Sequence, residues 1–214
     1  MDYGFTREEL KIIRPFNTPR KIQDFLGTLE MNFELKGDTC FSPRRVLRER
    51  RAHCVEGAIL GAAMLRVAGW PPLVMDLRAA TYDFDHVVAP FQIDTCWGAL
   101  SKTNHGVLRY REPVYRTIRE LALSFFHEYF MDDGEKTLRS YSIPINLSRF
   151  DRRQWITTEE HLWDIYRYID AVRHYPILNR AQIARLRHAD PIERQMGKLK
   201  EWPHPRSKAV RRKK

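Results

Sequence analysis

The most apolar stretch of the chain, Val55 to Val67, carries five small residues: Gly57, Ala58, Gly61, Ala62 and Ala63. A helix made from it has little side-chain bulk, so another backbone must pack closely against it, and a sheet carrying a catalytic base would fit. The helix starts near Cys54. It ends at Val67 or Ala68, because Gly69 suits the position after a helix and Pro71-Pro72 forbids continuation. Glu56 and Arg66 interrupt the apolar run, which falls short of the roughly 18 residues a membrane span needs.

The segments around this helix read as two kinds of structure. Residues 1–17 form a short amphipathic lead-in. Thr18-Pro19 pairs an N-cap with an N1 proline and predicts a helix to about Leu29, with Ile22, Phe25, Leu26 and Leu29 on one face. Ser42-Pro43 repeats the signal for a helix from Arg44 to about Arg50. Past Pro72 the period becomes that of strands, predicted at Leu73–Leu77, His86–Phe91, Cys96–Leu100 and Gly106–Tyr110. A long helix is predicted from Pro113 to Phe130, with Val114, Ile118, Leu121, Phe125 and Tyr129 in register. A short strand is expected at Leu138–Ile143. Thr157-Thr158-Glu159-Glu160 reads as a capping box opening a helix to about Arg173. Leu178–His188 and Ile192–Lys200 follow as shorter helices split by Pro191. Helices, then clustered strands, then helices argue an α+β fold with a small antiparallel sheet and additional C-terminal helices.

Charge separates the chain into regions. Its 214 residues carry a formal net charge of +10. Residues 176–214 hold 12 Lys+Arg against 3 Asp+Glu, or +9, which leaves +1 for residues 1–175. We therefore expect a near-neutral domain over 1–175 (core about 18–130), a helical extension over 176–202 and a disordered basic tail over 203–214. Residues 176–214 are the expected place of any contact with nucleic acid or an acidic partner. The N-terminus lacks a basic, then apolar, leader pattern. Three cysteines without a C-x-x-C spacing fit a reducing, cytoplasmic setting better than a disulfide scaffold.

Two residues carry the chemistry. Cys54 opens its helix, where unpaired N–H groups and the positive dipole end favour a thiolate and an oxyanion. A buried, inert cysteine is the plain alternative. His86 opens a strand, and the order of cysteine, strand, histidine, strand matches a nucleophile, a base and a third group that orients the imidazole. Candidates for that third group are Ser101 and Asn104, the latter offering an amide oxygen. Asp85 adjoins His86 and is expected on the opposite face. His53 adjoins Cys54, and neighbouring side chains on a helix usually point apart. Gln23 and Asn32 are candidate oxyanion donors. A zinc set of His53, Cys54, Cys96 and His105 lacks close paired spacings and is set aside, so neither metal nor cofactor is expected. Arg44, Arg45, Arg48, Arg50 and Arg51 form either a solvated face or a rim attracting an acidic substrate. Trp155, Trp163, Tyr166, Tyr168 and Tyr175 are expected to pack on the core or wall the cleft.

The run Ala52-His53-Cys54-Val55-Glu56-Gly57-Ala58, its exit Leu65-Arg66-Val67-Ala68-Gly69-Trp70-Pro71-Pro72, the strand Asp85-His86-Val87-Val88 and Trp97 together resemble the transglutaminase-like cysteine-enzyme superfamily, which has a papain-like core. The resemblance covers about residues 40–110. It implies a nucleophilic Cys54, a basic His86 and, four residues after the Trp, an Asp where this chain has Ser101. It further implies hydrolysis or acyl transfer at an amide or ester of a peptide, protein or small molecule. A catalytically degenerate binding module of the same fold, using the basic C-terminal segment, is the alternative.

Overall fold

The computed structural model describes residues 1–201. The chain opens with α1 (Arg7–Ile13) and α2 (Pro19–Gly27), followed by the short β1 (Glu30–Met31), α3 (Pro43–Glu49) and β2 (Arg51–Ala52). Thr6, Thr18 and Ser42 cap the three helices through their hydroxyls, as the Thr-Pro and Ser-Pro signals require of the second and third. Next come α4 (Cys54–Val67) and three strands, β3 (Leu73–Ala79), β4 (His86–Ile93) and β5 (Cys96–Leu100). β4 and β5 join through Asp94-Thr95, both left-handed at φ +47° and +67°, which gives a tight two-residue hairpin with Ile93 opposite Cys96. The rest comprises β6 (Arg111–Tyr115), α5 (Ile118–Leu123), β7 (Leu138–Ser142), β8 (Ile145–Asn146), α6 (Trp163–Ala171), β9 (His174–Pro176), α7 (Arg180–Ile183) and α8 (Pro191–Gly197).

The fold is α+β. Seven strands form one antiparallel sheet in the order β6-β5-β4-β3-β7-β9, with β8 also pairing β3. Alternate residues of the central strands feed two apolar clusters. Val74, Val87, Ala89, Phe91 and Leu100 join the buried side chains of α1–α4 and α6. Met75, Leu77, Val88 and Ala99 join Leu121, Phe125 and Tyr129. α4 is buried along nearly its whole length, from Val55 to Leu65. A Cβ added at Gly57 would lie 2.3 Å from the Lys102 Cβ, and one at Gly61 would lie 3.0 Å from Leu100 Cδ1. Its small residues thus let the end of β5 and the segment after it close on the helix, as its composition predicts. Among the described residues no helix is long and apolar enough to cross a membrane.

Four expected elements are corrected. Pro113 begins no helix: it lies in β6, an edge strand, where a missing N–H is tolerated. The helix starts only at Ile118, behind a capping box of Thr117 and Glu120, and the chain beyond Leu123 continues as a 3-10 turn at Phe126–Glu128. Gly106–Tyr110 is not a strand. Its backbone serves other partners: the Gly106 N–H donates to the Leu199 carbonyl, and Leu108 donates to Glu128 and accepts from Ser101. Thr157–Glu160 starts no helix either. Tertiary bonds hold this stretch open against the start of α3: Arg44 N–H to the Ile156 carbonyl, Ser42 hydroxyl to the Thr158 carbonyl, and Leu162 N–H to the Cys40 carbonyl. α6 therefore begins only at Trp163. Leu178–His188 shortens to the single turn of α7. The expected basic tail, 203–214, lies outside the described residues.

Candidate active site

Cys54 is the first residue of α4, at the point where the helix meets the sheet. His53 stands just before it in extended backbone, φ −89° and ψ −173°, and its ring Nδ1 accepts the Val55 N–H at 3.2 Å. A residue outside the helix can fold its side chain back over the first turn. The expectation that His53 and Cys54 point apart is thus corrected: the His53 ring lies close enough to the Cys54 sulfur to lower its pKa. Its Nε2 meets the Thr39 carbonyl at 3.1 Å and lies 3.5 Å from the Glu56 carboxylate and 3.7 Å from that of Glu34. Glu56 is fully buried. It accepts the His53 N–H (3.1 Å), the Phe41 N–H (2.9 Å), the Thr39 hydroxyl (2.7 Å) and the Asn32 amide (3.0 Å). A carboxylate held by so many donors is a fixed negative charge behind the His53 ring.

His86, at the start of β4, lies near enough to the same sulfur to lower its pKa. Its Nε2 is 2.8 Å from Ser101 Oγ. The Ser101 hydroxyl donates to the Leu108 carbonyl at 2.6 Å. A hydroxyl has one proton, so toward His86 the Ser101 oxygen must accept. Neutral His86 therefore carries its proton on Nε2, and Nδ1 is the free base. Ser101 is itself locked in place, because Gln23 both accepts its N–H and donates to its carbonyl, each at 2.9 Å.

Electrostatics favour an ionised sulfur. Burial pushes the Cys54 thiol up, but the hydrogen bonds from His53 and His86, together with their positive charge, bring it down to about 5. Burial likewise pushes His53 down, yet its bond to Cys54 and the negative charges of Cys54 and Glu56 raise it to about 9. At neutral pH the sulfur is a thiolate. Cys40 is the opposite case: buried beside Glu56, it is pushed up to about 12 and is inert. Cys96 sits at the hairpin end of β5, away from Ser101.

The remaining sequence candidates sort plainly. Ser101, and not Asn104, meets the imidazole. Asn104 lines a cavity beside Cys54, and its carbonyl accepts the Glu201 N–H at 2.7 Å. Asp85 turns to the Ala79 N–H at 2.7 Å. The Gln23 and Asn32 amides are committed to Ser101 and to Glu56 with Thr39, so neither is free as an oxyanion donor. The Cys54 N–H, in the first helical turn, has no intrahelical acceptor and is available as such a donor. Among the described residues no cluster of His, Cys, Asp or Glu is arranged to hold a metal. The Arg cluster is not a rim of the site. Arg44 pairs with Glu9 and Arg48 with Glu159, while Arg45 and Arg51 lie on the Phe41 ring and Arg50 on that of Phe25. Of the aromatic residues, Trp155 is buried, and Trp163 and Tyr166 wall the cleft.

Cys54 lies in the wall of two cavities. The larger, about 850 Å³, extends toward β3 and α6. The smaller, about 440 Å³, extends past His86 toward Tyr129 and Lys200. Asp83, Phe84 and Asp85 border both. No protein-family model matches this chain, and a search of curated proteins finds no match.

Proposed function

We propose that this protein is a cysteine-dependent hydrolase or acyltransferase acting on an amide or ester bond, built on a papain/transglutaminase-like core. The observation that carries the reading is the relay of Cys54, His86 and Ser101, in which the Ser101–Leu108 bond dictates the His86 tautomer. Cys54 first gives its thiol proton to His86 Nδ1, and the resulting thiolate attacks the substrate carbonyl carbon, forming a C–S bond and an oxyanion beside the Cys54 N–H. Collapse breaks the bond to the leaving nitrogen or oxygen, which takes a proton from His86 Nδ1. Water or an amine then attacks the thioester, giving its proton back to Nδ1 and expelling the thiolate. His53 acts on this cycle through the thiolate. Its ring, fixed by the Val55 N–H and the Thr39 carbonyl, helps lower the Cys54 pKa while His86 exchanges protons.

Iodoacetamide alkylation of each thiol across pH, read by mass spectrometry, tests this. Cys54 is expected to react at least tenfold faster than Cys40 and Cys96. Its rate should rise through pH about 5, since the thiolate forms above its depressed pKa. His53→Asn should move that midpoint upward. Cys54→Ala should abolish burst hydrolysis of para-nitrophenyl acetate, and His86→Ala should slow it by about 10²- to 10⁴-fold. Equal labelling of the three thiols, or none in the folded protein, overturns the reading.

A further inference from the structure

The cavity that leads away from Cys54 toward β3 and α6 is strongly one-signed. Its wall holds the carboxylates of Glu34, Asp38, Asp76, Asp83, Asp85 and Asp170, and against them one guanidinium, Arg78, and the ring of His53. Arg78 is already shared: it bonds Asp170 at 2.6 Å and lies 3.8 Å from Asp76 and 3.7 Å from Asp85. Asp76 also takes His174 at 2.8 Å. Negative charge is still in surplus. Burial raises the Asp85 pKa, and the charges of Asp76 and Asp170 add to it against Arg78 and the Ala79 N–H. The same cavity is faced by rings: Trp163, Tyr166 at 42% exposure and Phe84 at 90%. Carboxylates mixed with exposed aromatic faces recognise organic cations. Carboxylates alone would make no site, but here they share a wall with an activated sulfur.

We propose that this cavity is a specificity pocket for a cationic side chain, lysine- or arginine-like, on the carbonyl-bearing substrate. The proposal rests on the reading of Cys54 as the nucleophile and names the substrate class for that site. The cation is an anchor and not the attacking amine. An ammonium held among carboxylates keeps its proton and has no lone pair to offer a thioester. Of the two readings of the arginine cluster, the rim for an acidic substrate finds no support, since those arginines are committed elsewhere in the fold.

The test uses Cys54 as a reporter of the local potential, in the full chain carrying Cys96→Ser. Its rate of modification at pH 7 is compared for three methanethiosulfonates: methyl, trimethylammonioethyl and sulfonatoethyl. The cationic reagent should outpace the anionic one by about 10-fold or more at low salt. Asp85→Asn and the surface change Asp38→Asn should each shrink that ratio, taken relative to the same variant's rate with the neutral reagent. N-acetyl-lysine methylamide should slow the neutral reagent at Cys54 more than the norleucine analogue does. A cation-to-anion ratio at or below one, or equal protection by the two amides, overturns the pocket while a fast neutral reaction leaves Cys54 standing. A slow neutral reaction would instead remove the nucleophile on which the pocket depends.

Discussion

Ser101 occupies the place where the resembled family carries an Asp, and its neighbours explain why a carboxylate would not serve here. The Leu108 carbonyl stands 2.6 Å from Ser101 Oγ and needs a donor, which a hydroxyl is and a carboxylate is not. Leu108 is held there in left-handed backbone at φ +61°, with its N–H on Glu128 at 2.8 Å. The intuitive repair, Ser101→Asp, is therefore expected to fail: it sets an anion against a carbonyl and should lower both melting temperature and turnover. Ser101→Ala leaves the buried His86 Nε2–H without its acceptor, a loss of about 1–3 kcal/mol, or about 5- to 150-fold in kcat/KM. Melting curves and ester turnover of the two variants decide it, and a Ser101→Asp protein more active than the wild type would refute the account. The sequence showed Ser101 and Asn104 as alternatives because the choice depends on a carbonyl seven residues downstream that no local pattern exposes.

At the level of elements, the site exists because α4 and the end of β5 approach closely. Gly57 is the point of closest contact. The Lys102 stem crosses it, and Lys102 Nζ reaches over to the Leu29 carbonyl at 2.7 Å. Burial lowers the Lys102 pKa, so the ammonium is held at an electrostatic disadvantage that its carbonyl bond partly offsets. A methyl group at Gly57 would push this segment off the helix and with it Ser101, the residue before Lys102. Gly57→Ala should cost about 1–3 kcal/mol by overpacking, read as a lower denaturant midpoint. It should slow turnover more than an equally destabilising change far from the cleft would. Unchanged stability and turnover would mean that the contact does not position the site. The same element scale holds the failures of sequence reading. The Pro113 helix and the Thr157 helix both had sound local signals, but an edge strand took the proline and hydrogen bonds to α3 took the second segment.

Across the whole molecule, the C-terminal third completes the sheet through β9 and closes the cleft with α6. One buried tie between these parts and the centre is the Asp76–His174 pair, 2.8 Å apart, with side chains 3% and 6% exposed. His174 Nδ1 bonds the Val172 carbonyl at 2.7 Å, so its ring is held by acceptors on both sides. Removing one member of such a pair strands the other. His174→Ala is expected to destabilise by about 3–5 kcal/mol in equilibrium denaturation, and a loss below about 1 kcal/mol would show that the pair does not bind the halves together. Much of this architecture was legible in the sequence. The small-residue helix, its stop at Gly69 and Pro71-Pro72, the strands that follow and the order of Cys54 before His86 come from periodicity and backbone chemistry, which act over a few residues. The tertiary structure alone decided that His53 turns back to Cys54, that Ser101 meets His86, that Gln23 and Asn32 are committed elsewhere and that the cavity is acidic. Each of these depends on groups far apart in sequence meeting in a buried space, where a single hydrogen-bond acceptor or a shared guanidinium determines the outcome.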